Sequence, residues 1–597
     1  MTDVLIDRRD LDFQLYEVLD SGALCQRERF AEHDRDTFDA VMDSADRLAR
    51  EQFAPHNALA DQDEPRFIDG RVEMRPEVKT AMDAYAEAGF IAGRYDEALG
   101  GMQLPETIMT ACNGFFVAAN PGTAGYPFLT TAAANVIRLF GSQRQKDTFL
   151  PPMLEGRFTG TMALTEPQAG SSLADLTTSA TPDDDGHYLI RGSKLYISGG
   201  EHELADNIVH LVLARIKGAP AGTKGISMFI VPKYRLDADG EPGERNGIAL
   251  AGLIHKLGYR GTTSTALTFG DDVPCHGYLV GEPHQGLKYM FLMMNEARLG
   301  VGFGATAIGY RGYLHSLEYA RERLQGRPAS AKDPASPPVP LIQHADVRRM
   351  LLAQKAWVEG AFALCLYGAR LVDDSHTHPD TNERTRAHQL LDLLTPVIKA
   401  WPSEYGTRAN DLAIQVYGGA GYTREYPVEQ CWRDNRLNPI HEGTNGIQAL
   451  DLLGRKVWQQ EGVEHLFATI QAEIQATNDA RCQPWARSLG GVLQRIGVVT
   501  RALGAAMAEK GPDATLANAS VYLHAFGHIV VAWQWLRQAN IAAAKLATAT
   551  DKDRDFYQGK LQAAQYFFHW ELPVTSRDFD ILERLDDTCV AMDTEWF

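Results

Sequence analysis

The spacing of apolar positions changes character twice along the chain. From about 11 to 143 apolar residues recur at helical intervals, as in Phe38, Val41, Met42, Ala45, Leu48 and Ala49, which predicts amphipathic helices. Clusters such as Ala98-Leu99-Gly100-Gly101 punctuate them. Between about 161 and 280 the patterns shorten and alternate. Segments 187–190, 194–197, 208–213, 226–231 and 266–269 read as strands, separated by turns such as 183–186. Helical spacing returns at Gly286 and persists to the C-terminus, broken by an exposed Pro/Ala/Ser-rich loop at 327–340 and by a boundary after Lys456. The pattern predicts an α+β multidomain chain. It has an N-terminal helical domain at 1–160, a central β domain at 161–280, a helical bundle at 281–456 and a further C-terminal helical extension at 457–597.

Length and composition fit that division. A chain of 597 residues is too long for one hydrophobic core. With 45% hydrophobic and 23% charged residues it is an ordinary globular chain rather than a disordered one. Its formal charge of −19 opposes nucleic acid or an anionic membrane surface as the main partner. No run of about 18 apolar residues is present, so no membrane span is expected. The first seven residues, Met1 to Asp7, lack the basic flank and apolar stretch of a signal peptide. The seven cysteines are scattered and form no C-x-x-C pair, which removes zinc modules, iron–sulfur clusters and a disulfide framework. A reduced, cytoplasmic protein without a bound metal is the expectation.

Four segments carry candidate chemistry. Met162-Ala163-Leu164-Thr165-Glu166-Pro167-Gln168-Ala169-Gly170-Ser171-Ser172 holds a turn set by Pro167 and Gly170, with hydroxyls and backbone N–H groups around it. Such a turn binds the polar edge of a planar heterocycle or a phosphate, or is a plain loop entering a strand. Tyr196-Ile197-Ser198-Gly199-Gly200 offers an aromatic and a hydroxyl to flank a flat ring, or simply a tyrosine buried in a sheet. Gln415-Val416-Tyr417-Gly418-Gly419-Ala420-Gly421-Tyr422 lets backbone approach a ligand closely, or caps a helix. Asn438-Pro439-Ile440-His441-Glu442-Gly443-Thr444-Asn445-Gly446-Ile447-Gln448 places a carboxylate among glycines before a helix; alone it would read as a surface glutamate.

In this order and spacing the four segments resemble the acyl-CoA dehydrogenase family. They match L-T-E-P-x-A-G-S, a tyrosine–serine form of W-I-T/S-N-G, Q-x-x-G-G-x-G-Y/F and E-G-T-x-x-I-Q, and the likeness covers about 51 to 456. The resemblance implies a β-barrel-like central domain and one FAD per subunit, bound between that domain and the later helices. Thr165, the turn at Gly170 and the backbone near Met162, Leu164 and Ser171 would contact the flavin, with Tyr196 and Ser198 covering the ring. Arg323, Gln415, Gly418 and Gly419 would bind the FAD of a neighbouring subunit, and Thr444 the cofactor's other side. A homodimer or homotetramer follows from that sharing. Glu442 takes the catalytic-base position, strengthened by Ala297 where some branches carry the base instead. Glu296, one residue away, is turned about 100° on its helix. Ser171, Arg298 and Gly443 fall on the substrate side, although Arg298 reads equally well as half of a structural ion pair.

The implied reaction is FAD-dependent α,β-dehydrogenation of an acyl-CoA to a trans-2-enoyl-CoA, with electrons passing to an electron-transfer flavoprotein. Several positions depart from the family pattern: Ser172 for an aspartate, Arg323-Leu324-Gln325-Gly326 one residue short and without a phenylalanine, Ala345 and Gly446 for glutamines, and His441 for a tyrosine. These alter cofactor packing and channel width without removing the chemistry. By family position Phe115, Phe116, Tyr289, Phe291, Met293 and Met294 would shorten the acyl pocket. Length and extension also resemble the 3-methylmercaptopropionyl-CoA dehydrogenase branch. A short or medium acyl chain or a thioether tail is therefore expected. The alternatives are an acyl-CoA oxidase and a non-catalytic DNA-binding flavoprotein of the same family. The second is opposed by the extension, whose 12 basic and 17 acidic residues from Glu461 onward leave it acidic.

Overall fold

A computed structural model describes residues 5–183, 186–331, 333 and 335–597. Residues 1–4 of the N-terminal reading, Asp184 and Asp185 of the predicted turn, and Lys332 and Pro334 of the predicted loop lie outside the described residues. The chain divides into two compact units, one of residues 36–297 and one joining 1–35 to 298–597.

The unit of residues 36–297 begins with helices whose ends are set by polar caps. Asn120 accepts from the Thr123 N–H at 3.1 Å and Pro121 occupies the first turn of Pro121–Phe140. Ser142 and Gln145 bond reciprocally to start Gln143–Leu154. The helix Glu106–Ala119 turns Ile108, Cys112, Phe115 and Phe116 inward. The Phe116 ring lies 5.0, 4.8 and 5.2 Å from those of Phe53, Tyr85 and Phe90. Phe116 is thus a core aromatic of these helices.

The predicted strands form, with amendments. Segments 187–190 and 194–197 are one strand, Tyr188–Ser198. The sheet also contains Phe158–Ala163, Ser179–Pro182, Ile248–Leu253 and His276–Leu279. Phe158–Ala163 is buried on both faces, so the alternation that marks a half-exposed strand is missing from it. Tyr188–Ser198 pairs with His276–Leu279, which pairs with Ile226–Pro232, which pairs with Asn207–Ile216. Ser179–Pro182 bonds to both Asn207–Ile216 and Tyr188–Ser198 and closes the ring. Ile190, Val212, Phe229 and Val231 share its buried cluster. Phe158–Ala163 runs parallel to Asn207–Ile216 on the outside and delivers the chain into the turn at 164–172.

The other unit is helical. Ala345–Thr377 and Thr381–Tyr417 form a long antiparallel pair joined at Asp380, whose side chain caps the second. The short helix Asn445–Gly454 packs on Thr381–Tyr417 and on Ala519–Leu546 of the extension. Trp533 and Trp535 of that extension helix are fully buried, and Trp535 Nε1 donates to the Ala356 carbonyl at 2.9 Å. The N-terminal segment is tied in by charge. The buried Lys560 ammonium donates to Asp10 and, at 2.8 Å, to Glu359, while the Tyr310 hydroxyl donates to Asp10 at 2.8 Å.

His524 and His528 make a His-x-x-x-His spacing, a common metal-ligand signature. Their Nε2 atoms instead meet the Tyr405 hydroxyl at 2.8 and 3.2 Å, and His524 Nδ1 meets Asp578. Among the described residues no group of three or more metal-ligating side chains converges, and no helix is long and apolar enough to cross a membrane.

Candidate active site

Glu442 sits in the turn between Val428–Asn435 and Asn445–Gly454. Thr444 caps the second helix, its hydroxyl accepting from the Ile447 N–H at 3.3 Å. Glu442 and Gly443 are both left-handed, with φ of +54° and +83°. Glycine adopts this freely, but for a glutamate it stores roughly 1–3 kcal/mol. The conformation is held by Gln448, fully buried one turn into the helix. Its Nε2 donates to the carbonyls of Glu442 at 3.2 Å and Gly443 at 3.1 Å. The positive φ of residue 443 disfavours any side chain there, and a Cβ would also stand 2.7 Å from that nitrogen and push the amide out of place.

Arg298 approaches the same loop from the helix Gly286–Glu322. It is buried, with Nε 3.5 Å from the Glu442 carbonyl and Nη1 3.6 Å from the Asp451 carboxylate. Asp451 also pairs with Arg455 at 2.7 Å. Burial pushes the Glu442 carboxyl above its ordinary value, against the pull of the Arg298 and Lys399 cations. Burial, helped by Lys399, drives neighbouring His441 down to about 3, so it is neutral, and its Nε2 lies 3.0 Å from Asn438 Oδ1. A strained, desolvated carboxylate of raised proton affinity is suited to general-base work. Glu296 is not: it is engaged by Asn135 and by Arg94 at 3.0 Å.

A second group of predicted residues lies in the β domain. The Glu166 carboxylate is buried inside the turn at 164–172 and accepts from the N–H groups of Thr177 at 2.7 Å and Thr178 at 3.0 Å, and from Lys194 at 2.8 Å. Burial pushes it up, but the Lys194 ammonium and these donors prevail and hold it at about 2. Lys194 also donates to the Leu164 carbonyl at 2.9 Å, fixing the backbone where the turn begins. Met162 is buried in the preceding strand, Thr165 is half-buried, and Gly170 and Ser171 are exposed. The Leu195 N–H donates to the Thr165 carbonyl at 2.9 Å, which sets this turn beside Tyr196.

Tyr196 owes its placement to a bulge. Thr265 pairs with Ile197 and Leu267 with Lys194, so Leu195 and Tyr196 together oppose Ala266 alone. Tyr196 takes φ +61°, and its side chain is 60% exposed rather than buried in the sheet. Ser198 is exposed two residues on. Ser172 bonds Asp175 at 2.7 Å.

A third group lies at one end of the bundle. Tyr319 stacks on Tyr417 with centroids 4.0 Å apart, so Arg323, one turn beyond Tyr319, shares an end with Gly418. Arg323, Gln415, Gly418 and Gly419 are exposed, and a Cβ on either glycine would meet no atom within 4 Å. Gln448, Lys399, Glu166 and Lys194 had no role assigned from sequence. Gln448 and Glu166 carried a signal, as the last residue of the E-G-T-x-x-I-Q pattern and the glutamate of L-T-E-P-x-A-G-S.

Four family models match in sequence. They are the acyl-CoA dehydrogenase N-terminal domain at 35–157, middle domain at 161–272 and C-terminal domain at 284–456, then an acetyl-CoA dehydrogenase C-terminal-like domain at 466–593. The 3-methylmercaptopropionyl-CoA dehydrogenase of Ruegeria pomeroyi is 36% identical over 94% of both chains. A broad-specificity linear acyl-CoA dehydrogenase of Mycobacterium tuberculosis is 34% identical over 99% of both. Among solved structures, an acyl-CoA dehydrogenase from Bacillus anthracis complexed with FAD shares the fold, with a TM-score of 0.74 at 19% identity over 93% of this chain and 91% of that one.

Proposed function

This chain belongs to the acyl-CoA dehydrogenase family, and on that premise we propose that it carries out FAD-dependent α,β-dehydrogenation of an acyl-CoA with Glu442 as the base. The observation that carries the assignment is the loop at 441–444, where a desolvated carboxylate is held in a left-handed conformation by Gln448 and faced by two cations. A thioester docked there would place its carbonyl oxygen on the Glu442 backbone N–H, which stabilises charge developing on that oxygen. Glu442 takes the α-proton. When bound, FAD supplies the acceptor for the hydride that leaves the β-carbon, and the product is a trans-2-enoyl-CoA.

The β-domain residues suit a flavin. Thr165, the open turn at Gly170 and Ser171 offer hydroxyls and backbone donors for the polar edge of a heterocycle, with the backbone of Met162 and Leu164 beside them. The exposed ring of Tyr196 and the hydroxyl of Ser198 cover its face. Arg323, Gln415, Gly418 and Gly419 reach the cofactor of a second subunit, so the enzyme is a homodimer or homotetramer, and Thr444 lies on the cofactor's other side. Ser171, Arg298 and Gly443 line the substrate side, Arg298 chiefly by holding the base loop. The division at 160, 280 and 456 separates these roles. Electrons leave to an electron-transfer flavoprotein in the cytoplasm, and nucleic acid is not a partner of this acidic chain.

The acyl group is short or medium, or a 3-methylmercaptopropionyl tail, a choice supported by what the Ruegeria relative is named for. Anaerobic mixing of the yellow protein with propionyl- to palmitoyl-CoA and 3-methylmercaptopropionyl-CoA tests this reading. Rapid bleaching by a small acyl group is expected. Palmitoyl-CoA turning over with comparable kcat/KM would overturn the size assignment, and bleaching by none of them would overturn the reaction.

A further inference from the structure

Lys399 lies within the helix Thr381–Tyr417 and has no exposed surface. Its ammonium donates to Asn445 Oδ1 at 3.1 Å, and among the described residues no carboxylate comes within ion-pair distance of it. Burying an ammonium without a paired carboxylate is costly, so what its charge and its N–H groups act on nearby decides its role.

Two things are nearby. Asn445 opens the helix that follows Glu442-Gly443-Thr444, and its Nδ2 donates back to the Ala400 carbonyl at 3.4 Å. Lysine and asparagine together clamp the start of that helix onto Thr381–Tyr417. The second is the Glu442 carboxylate, which feels the Lys399 charge. Arg298 also pulls on the Glu442 carboxylate while bonding the Glu442 carbonyl and facing Asp451; Asp451 is shared with Arg455, and His441 is neutral. Burial alone would drive Glu442 toward its protonated form, which cannot accept a proton. Lys399 is itself pushed down to about 7 by burial, with Glu442 holding it up.

We propose that Lys399 is a positioning residue for proton abstraction: its charge keeps the buried Glu442 carboxylate ionised, and its bond to Asn445 fixes the loop that aims it. The assignment rests on Glu442 being the base. The proton step is isolated by (methylthio)acetyl-CoA, whose β-position is sulfur and has no hydride to give. Its α-hydrogens exchange into D2O only through the base, and the acid limb of the exchange rate against pH reports the ionisation of Glu442.

In FAD-loaded Lys399→Met that limb moves up by about one pH unit, so exchange at about pH 6 slows roughly tenfold. Lys399→Arg returns the limb toward its wild-type position. If Lys399→Met does not hold FAD, Lys399→Gln carries the same test with a polar group still facing Asn445. An unmoved limb in a folded, neutral variant, alongside abolished exchange in Glu442→Gln, overturns the lysine proposal alone. Wild-type exchange in Glu442→Gln overturns the base assignment beneath it.

Discussion

Replacing Gln448 with leucine keeps the side-chain volume and removes the amide that holds the base loop. The amide makes two bonds, at 3.2 and 3.1 Å, to the carbonyls of Glu442 and Gly443. A buried bond of this kind contributes about 1 kcal/mol net, so about 2 kcal/mol is lost. The left-handed backbone of Glu442 stores roughly 1–3 kcal/mol, a comparable amount. Without the amide the strained loop is no longer favoured over relaxed alternatives. A change of about 2 kcal/mol corresponds to about 30-fold in the population that presents the base. Stopped-flow bleaching of the flavin under saturating acyl-CoA should therefore slow by roughly 10- to 100-fold. FAD content should stay near wild type, because among the described residues the Gln448 amide bonds only to this loop. A rate within twofold of wild type would refute the idea that this amide holds the loop.

Three other substitutions test the framework around the site. Lys194→Met leaves the buried Glu166 without its cation and should cost about 3–5 kcal/mol, seen as a lower urea midpoint and loss of FAD. Because Glu166 is held at about 2, its contribution is present above the ordinary carboxylate range and lost as pH falls toward 2; in the variant burial pushes the carboxyl back up, so that acid-side loss should shrink or reverse. Tyr196→Gly relieves a left-handed tyrosine and should raise stability by about 1 kcal/mol while weakening FAD retention; unchanged FAD affinity would remove the ring-cover role. Lys560→Met leaves Asp10 and Glu359 facing each other without the cation between them, and should cost about 3–5 kcal/mol of stability, seen as a lower unfolding midpoint, with little change in bleaching rate. An unaltered midpoint would show that this network does not tie down the N-terminal segment.

The spacing of apolar positions made the helical–β–helical plan legible, and the order and spacing of motifs the family, because each motif marks a turn whose shape its glycines and prolines dictate. The strand Phe158–Ala163 was not legible: buried on both faces, it shows no alternation to read. The continuity of Tyr188–Ser198 was hidden by Gly192 and Ser193, which look like a break but lie within the strand. The left-handed conformations of Tyr196 and Glu442 leave no trace in composition, since either residue would normally be read at negative φ. Lys399 and Lys194 were invisible for a different reason. A lysine in a helical or strand pattern reads as solvated, and only the fold shows that it is buried against a carboxylate loop.

The most direct measurement compares wild type and Glu442→Gln, both loaded with FAD, under anaerobic mixing with an acyl-CoA that bleaches the wild type. The variant should stay yellow and bind the thioester, yet bleach slower by orders of magnitude. Bleaching within tenfold of the wild-type rate would contradict the assignment of Glu442 as the base.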